Sequence, residues 1–161
     1  MEWRMSVEGQ LGAAIDMLEQ AIVACPDDLW GEATDPHAFW YVAYHTLFFL
    51  DCYVSNAGDD YTPPPPFTSD ELDERGLLPP RVYVKDELLA YCAHGRARMR
   101  STLSTINDEE ARTRCAFSWL DLSRGEMLLY TMRHVQHHTG QLNMLLRQSG
   151  HPAPLWVRTA R

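Results

Sequence analysis

The sequence predicts an all-α fold: a four-helix bundle with a long crossover between its second and third helices. Three observations predict it. Four segments repeat apolar residues at three- and four-residue steps, the period of a helix with one buried face. No segment alternates apolar and polar residues as a half-buried strand does. Between the second and third periodic segments the pattern vanishes and prolines accumulate, so residues 59–80 are a connection rather than an element. Four helices with one long connection form a bundle with a crossover.

The first helix, about Ser6 to Ala24, is marked by Val7, Leu11, Ala14, Ile15, Leu18 and Ile22, and Pro26 stops it. Its polar face carries Glu8, Asp16, Glu19 and Gln20 and has a packing role only. The second opens at Asp35-Pro36, with Asp at the N-cap and Pro in the first helical position, and runs to about Ser55, where Asn56-Ala57-Gly58 ends it. It carries Phe39, Trp40, Tyr41, Tyr44, Phe48, Phe49 and Tyr53. A helix apolar over so much of its circumference is buried on more than one side, and a bundle core plus a subunit interface would account for that.

Pro63 to Pro66 and Leu78-Pro79-Pro80 make the crossover extended or polyproline-like, a connector that spans the bundle and can border a pocket. The third helix, about Val84 to Ile106, buries Leu89, Cys92, Met99, Leu103 and Ile106. It turns Arg96, Arg98 and Arg100 to solvent or to acids, and places His94 on the surface. A helical turn at 108–114 and the apolar patch 117–120 follow. The last helix opens on Ser123-Arg124-Gly125-Glu126, a capping box, and stops at Gly150. The tail Leu155-Trp156-Val157 is expected to fold back onto the bundle, because an exposed Trp between two aliphatics is a liability.

A chain of 161 residues suits one domain, 1–161, with a real core. The net charge of −8 excludes nucleic-acid binding by bulk electrostatics. No stretch approaches the ~20 apolar residues of a membrane span, and the N-terminus has no secretory pattern. The four cysteines lie far apart without a C-x-x-C pair, which predicts free, buried thiols in a reducing cytoplasm.

Chemistry concentrates in the last helix, at Arg133-His134-Val135-Gln136-His137-His138-Thr139-Gly140-Gln141-Leu142. His134 and His138 stand four residues apart, so their rings project from one face, one turn apart, and can share a divalent metal ion. They share that face with Met127, Thr131, Gln141 and Leu145. His137 is rotated away with Arg133, Met144 and Gln148. The competing reading is a pair of imidazoles satisfied by hydrogen bonds near the surface. His45 weighs against it: it is a polar residue in the middle of the most apolar helix, at a depth that can match the pair. Three histidines with an open fourth position are the pattern of a catalytic metal site. Asp51, Glu126 and Tyr41 are candidates for further ligands or supporting groups.

The stretch from Gly125 to Leu142 with its H-x-x-H-H-x-G-Q-L spacing resembles the last helix of the DinB-like superfamily of damage-inducible and thiol-dependent proteins. The lone His45 on an aromatic-rich second helix, Glu87-Leu88-Leu89-Ala90-Tyr91 and the end from Gly150 to Val157 share the resemblance, which covers essentially the whole chain. It implies a four-helix bundle with a crossover and a three-histidine divalent metal site, here His45, His134 and His138. It also implies a homodimer. Relatives use a low-molecular-weight thiol, mycothiol or bacillithiol, in transferase, isomerase or hydrolase reactions, so a thiol and an electrophilic small molecule are the expected partners, with no nucleic acid and no membrane. Zinc or nickel is the expected ion, and a metal-binding stress-response protein without turnover is the alternative.

Overall fold

A computed structural model describes residues 2–32 and 34–160. The first segment folds as helix α1, Glu2–Ala24, four residues longer at its start than its apolar pattern requires. The extra turn is held from outside the helix: Trp3 Nε1 donates to Asp108 Oδ1 at 2.8 Å, and Arg4 donates to the Ile106 carbonyl at 3.0 Å. Leu11, Ile15, Leu18 and Ile22 are fully buried. A single turn, α2, Asp27–Trp30, follows Pro26 and was not expected. It buries Trp30, whose Nε1 donates to the Tyr83 carbonyl at 3.0 Å and so pins the far end of the crossover.

Helix α3 spans Phe39–Ser55, starting later than Asp35-Pro36 predicted. The Asp35 carboxylate accepts from the His37 N–H at 2.8 Å, closing a turn on itself instead of capping the helix, and Ala38 takes the extended N-cap position. Asn56 ends α3 in the left-handed conformation, φ 52°, as the Asn-Ala-Gly sequence predicts.

The crossover, residues 57–83, packs its aromatic side chains against α3 and against Tyr91 of the helix that follows it. Tyr61, Phe67 and Tyr83 are buried. Phe67 stacks on Tyr44 of α3 at 5.9 Å between ring centroids and on Tyr91 at 4.2 Å. The over-apolar circumference of α3 is therefore covered, on this side, by the chain's own connection.

Helix α4, Lys85–Thr105, is followed by the short α5, Asp108–Arg112, and by α6, Arg124–Gln148. The predicted capping box starts α6: Ser123 Oγ accepts from the Glu126 N–H and the Glu126 carboxylate accepts from the Ser123 N–H. α1 and α3 each pack against both α4 and α6, so the four long helices close a ring around the core. The fold is all-α as expected, with no strand among the described residues. No helix among them is long and apolar enough to cross a membrane. The four cysteines are free and buried.

Two further expectations fail. Leu155 and Trp156 are exposed, at 86% and 68%. The tail does return to the bundle, but through Arg158 to Ala160: the Ala160 N–H donates to the Gly9 carbonyl at 2.9 Å, and Gln10 donates to the Arg158 carbonyl. A side chain at Gly12 would put its Cβ 2.6 Å from that of Ala160, so this close approach needs the glycine. His94 is also not a plain surface residue. Its Nε2 lies 3.3 Å from Oδ1 of Asp51, a carboxylate with no exposed side-chain surface. Arg98 Nε reaches the same oxygen at 2.7 Å, and the Tyr61 hydroxyl donates to Oδ2 at 2.6 Å. This buried cluster ties α3, α4 and the crossover together.

Candidate metal centre

His45 lies in the middle of α3; His134 and His138 lie in the middle of α6. The packing of these two helices brings the three rings together. Centroids are 4.5 Å apart for His134 and His138, 4.8 Å for His45 and His138, and 5.3 Å for His45 and His134. One ligand nitrogen from each lies within 4.8 Å of the others.

The outer nitrogens are held. His45 Nδ1 donates to Glu71 Oε2 at 2.6 Å, and Glu71 is itself only 3% exposed in its side chain. His138 Nδ1 donates to Gln141 Oε1 at 2.6 Å. Carboxylate and amide oxygens only accept, so both rings carry their proton on Nδ1 and keep the Nε2 lone pair bare. His134 Nε2 is buried with no hydrogen-bond partner. An orphaned nitrogen in this position is costly unless something occupies it.

Electrostatics favour the neutral form of the two α6 rings. Burial, and then the neighbouring His138 and His45, push His134 down to about 3. Burial also lowers His138, against the opposing hydrogen bond that it donates to Gln141. Neutral imidazole is the form that ligates a metal. A bare donor triad with its outer nitrogens anchored by a carboxylate and an amide is the supported arrangement of a histidine metal site. These residues fit one divalent ion, which they could hold with a fourth position left open.

His137 is exposed and outside the cluster, as its rotation predicts. Of the three further candidates only Tyr41 stands beside the site, its ring 6.2 Å from that of His45. Burial, and then the charge of Glu71, raise its phenol above the ordinary value. Asp51 belongs to the α4 side and Glu126 to its capping box. Sequence reasoning missed Glu71, which sits in the aperiodic crossover without a marking pattern. Gln141 did carry a signal, being three residues beyond His138 on the same face.

Two clefts open beside the cluster. The larger, about 700 Å³, reaches His45 and His138, and the smaller, about 470 Å³, reaches His134. Phe39, Trp40, Tyr44 and Phe48 are core residues, and Tyr41 is the aromatic side chain that α3 gives to the larger cleft.

No curated protein matches the chain. A family model described as the DinB superfamily matches residues 10–142, a span that takes in all three histidines and Glu71. Covering most of the chain, from within α1 to within α6, that match makes this protein a member of the DinB superfamily.

Proposed function

We propose that the cluster of His45, His134 and His138 binds one divalent metal ion and that the protein uses it to activate a low-molecular-weight thiol for transfer to an electrophilic small molecule. The observation that carries the reading is the buried, partnerless Nε2 of His134, set among rings whose other nitrogens are already engaged. A divalent ion there, zinc or nickel by donor type, supplies positive charge that favours the thiolate near neutral pH. In the reaction the thiol proton leaves to solvent, sulfur forms a bond to the electrophilic carbon, and the leaving group departs with the bonding pair. Glu71 and Gln141 hold His45 and His138 in orientation, and Tyr41 walls the cleft. A hydrolytic variant places water where the thiol stands.

One observation favours a second reading, metal binding without turnover. Glu71 is engaged with His45, so among the described residues no free carboxylate stands beside the site as a general base. The buried free cysteines suit the reducing cytoplasm, and the family resemblance supports a homodimer, which light scattering can measure.

Metal analysis of protein purified without nickel resin should find about one ion per chain, the content of a single three-histidine site. His138→Ala should abolish it and His137→Ala should keep most of it; metal retained in His138→Ala would refute the site. Thiols should then be assayed with chloroarenes and with maleylpyruvate. Bound metal without thiol-dependent turnover would select the second reading.

A further inference from the structure

The two clefts differ in charge. The larger is bordered by His37, Tyr41, His137, Gly140, Met144 and Leu145 beside His45 and His138, and among the described residues no Asp, Glu, Lys or Arg lines it. The smaller is bordered by Tyr130, Arg133, His134, Gln136 and His137. Arg133 is thus the one guanidinium among the described residues that lines either cleft. It makes no hydrogen bond or ion pair among the described residues, whereas Arg96 and Arg98 are held by Asp16, Glu19 and Asp51. The histidine cluster forms the partition, with His45 and His138 facing one side and His134 the other.

Gly140 adds an independent observation. A glycine inside a helix costs about 1 kcal/mol relative to alanine. At Gly140 neither packing nor backbone asks for one: a Cβ there would meet nothing within 4 Å, and φ is not positive. What its missing side chain provides is room in the larger cleft.

We infer that the two reactants enter from opposite sides of the cluster: a thiol bearing a carboxylate docks in the smaller cleft against Arg133, and an uncharged, largely apolar electrophile fills the larger one. This rests on the thiol-transfer reading above. An ionised carboxylate taken from water needs a partner, and among the described residues no Lys or Arg lines the larger cleft to supply one. On a chain of net charge −8 an anion is repelled at long range, so it needs a local cation, and the guanidinium fork matches a carboxylate in two bonds.

The test uses untagged, cobalt-loaded protein, in which a sulfur ligand produces a charge-transfer band. Titration with 3-mercaptopropionate and with 2-mercaptoethanol gives two affinities. Arg133→Gln should lower the ratio of the first to the second about tenfold, the scale of a hydrogen-bonded charge pair, and leave mercaptoethanol unchanged. A ratio equal in parent and variant overturns the anionic side. Gly140→Leu should fold, since the change raises helix propensity. It should abolish calorimetric binding of 1,3-dinitrobenzene, an unreactive uncharged arene, while the mercaptopropionate titration stays as in the parent. Retained arene binding overturns the apolar side. Cobalt that fails to bind, or no band with either thiol, defeats the thiol-transfer reading itself, and this inference with it.

Discussion

Asp51 and His45 stand six residues apart on α3, and each is a polar group set in an apolar helix. Their surroundings differ in one respect. Around Asp51 the charge is answered: Arg98 and His94 stand at ion-pair distance from Oδ1, which accepts no hydrogen bond but faces their positive charge, and the Tyr61 hydroxyl, shared with Tyr91 at 2.9 Å, donates to Oδ2. Around His45 three rings turn bare nitrogens toward one another, and that of His134 has no partner. Both clusters carry the desolvation cost of buried polar groups. The first recovers it within the chain and is a fastening. The second leaves it for something the chain does not contain, which is the property of a binding site.

The comparison breaks most sharply under substitution, because the same kind of change should act with opposite sign in the two places. Arg98→Met removes the main counter-charge from a carboxylate that cannot reach water. It should cost about 3–5 kcal/mol in urea unfolding, the penalty for an uncompensated buried charge. The double variant Asp51→Leu/Arg98→Met should recover much of that loss. If Arg98→Met costs well under 1 kcal/mol, Asp51 is not the fastening described.

His134→Leu should do the reverse. In metal-free protein it replaces an unsatisfied polar atom with an apolar side chain of similar reach, so stability should hold or rise by about 1 kcal/mol. Metal affinity should fall about 100-fold or more, since one of three ligands is gone. A marked destabilisation of the metal-free protein would show that the His134 nitrogen is satisfied within the chain after all.

Acid gives a milder probe of the same contrast. The unfolded imidazole takes up its proton below 6.5, whereas folded His134 resists until about 3. Between these values the unfolded state binds the extra proton. Stability present above pH 6.5 is therefore lost as pH falls toward 3. Unfolding of the metal-free protein across this range should show the slope, and His134→Leu should flatten it.

What could be read from the sequence followed how local each signal was. The α6 capping box and the rotation that separates His137 from its neighbours depend on residues within one or two turns, and both hold. His45 was legible because a polar residue among seven aromatics demands a reason. The start of α3 was misplaced because Asp35 serves two motifs equally well, a helix cap and a turn, and nothing nearby decides between them. The tail was assigned to Trp156 on grounds of hydrophobicity, whereas its docking is set by Gly9 and Gly12, small residues on α1 that leave room for the side chains of Thr159 and Ala160. Asp51 and His94 were read separately, since only the packing of α3 on α4 makes them one cluster. Glu71 was illegible for the deepest reason. Its position follows from the path of a connection without periodicity, fixed by where Tyr61, Phe67 and Tyr83 find room against α3.

Glu71 supplies the smallest and most discriminating test. Its Oε2 accepts from His45 Nδ1, while Oε1 is buried without a partner. In Glu71→Gln the amide oxygen can still accept from His45, so the ring keeps its orientation and loses only the charge behind it. A carboxylate there makes the imidazole a stronger donor, and removing such outer partners typically costs about 10-fold in metal affinity. Competition with a chromophoric chelator should register a loss of that size in Glu71→Gln and a larger one in Glu71→Ala, where the ring also loses its anchor. Equal losses in the two variants would mean that the charge alone matters and the anchor adds nothing, whereas a loss confined to Glu71→Ala would mean that the carboxylate only positions the ring. No loss in either would make Glu71 a second fastening, like Asp51, and erase the difference between the two clusters on this side of the site.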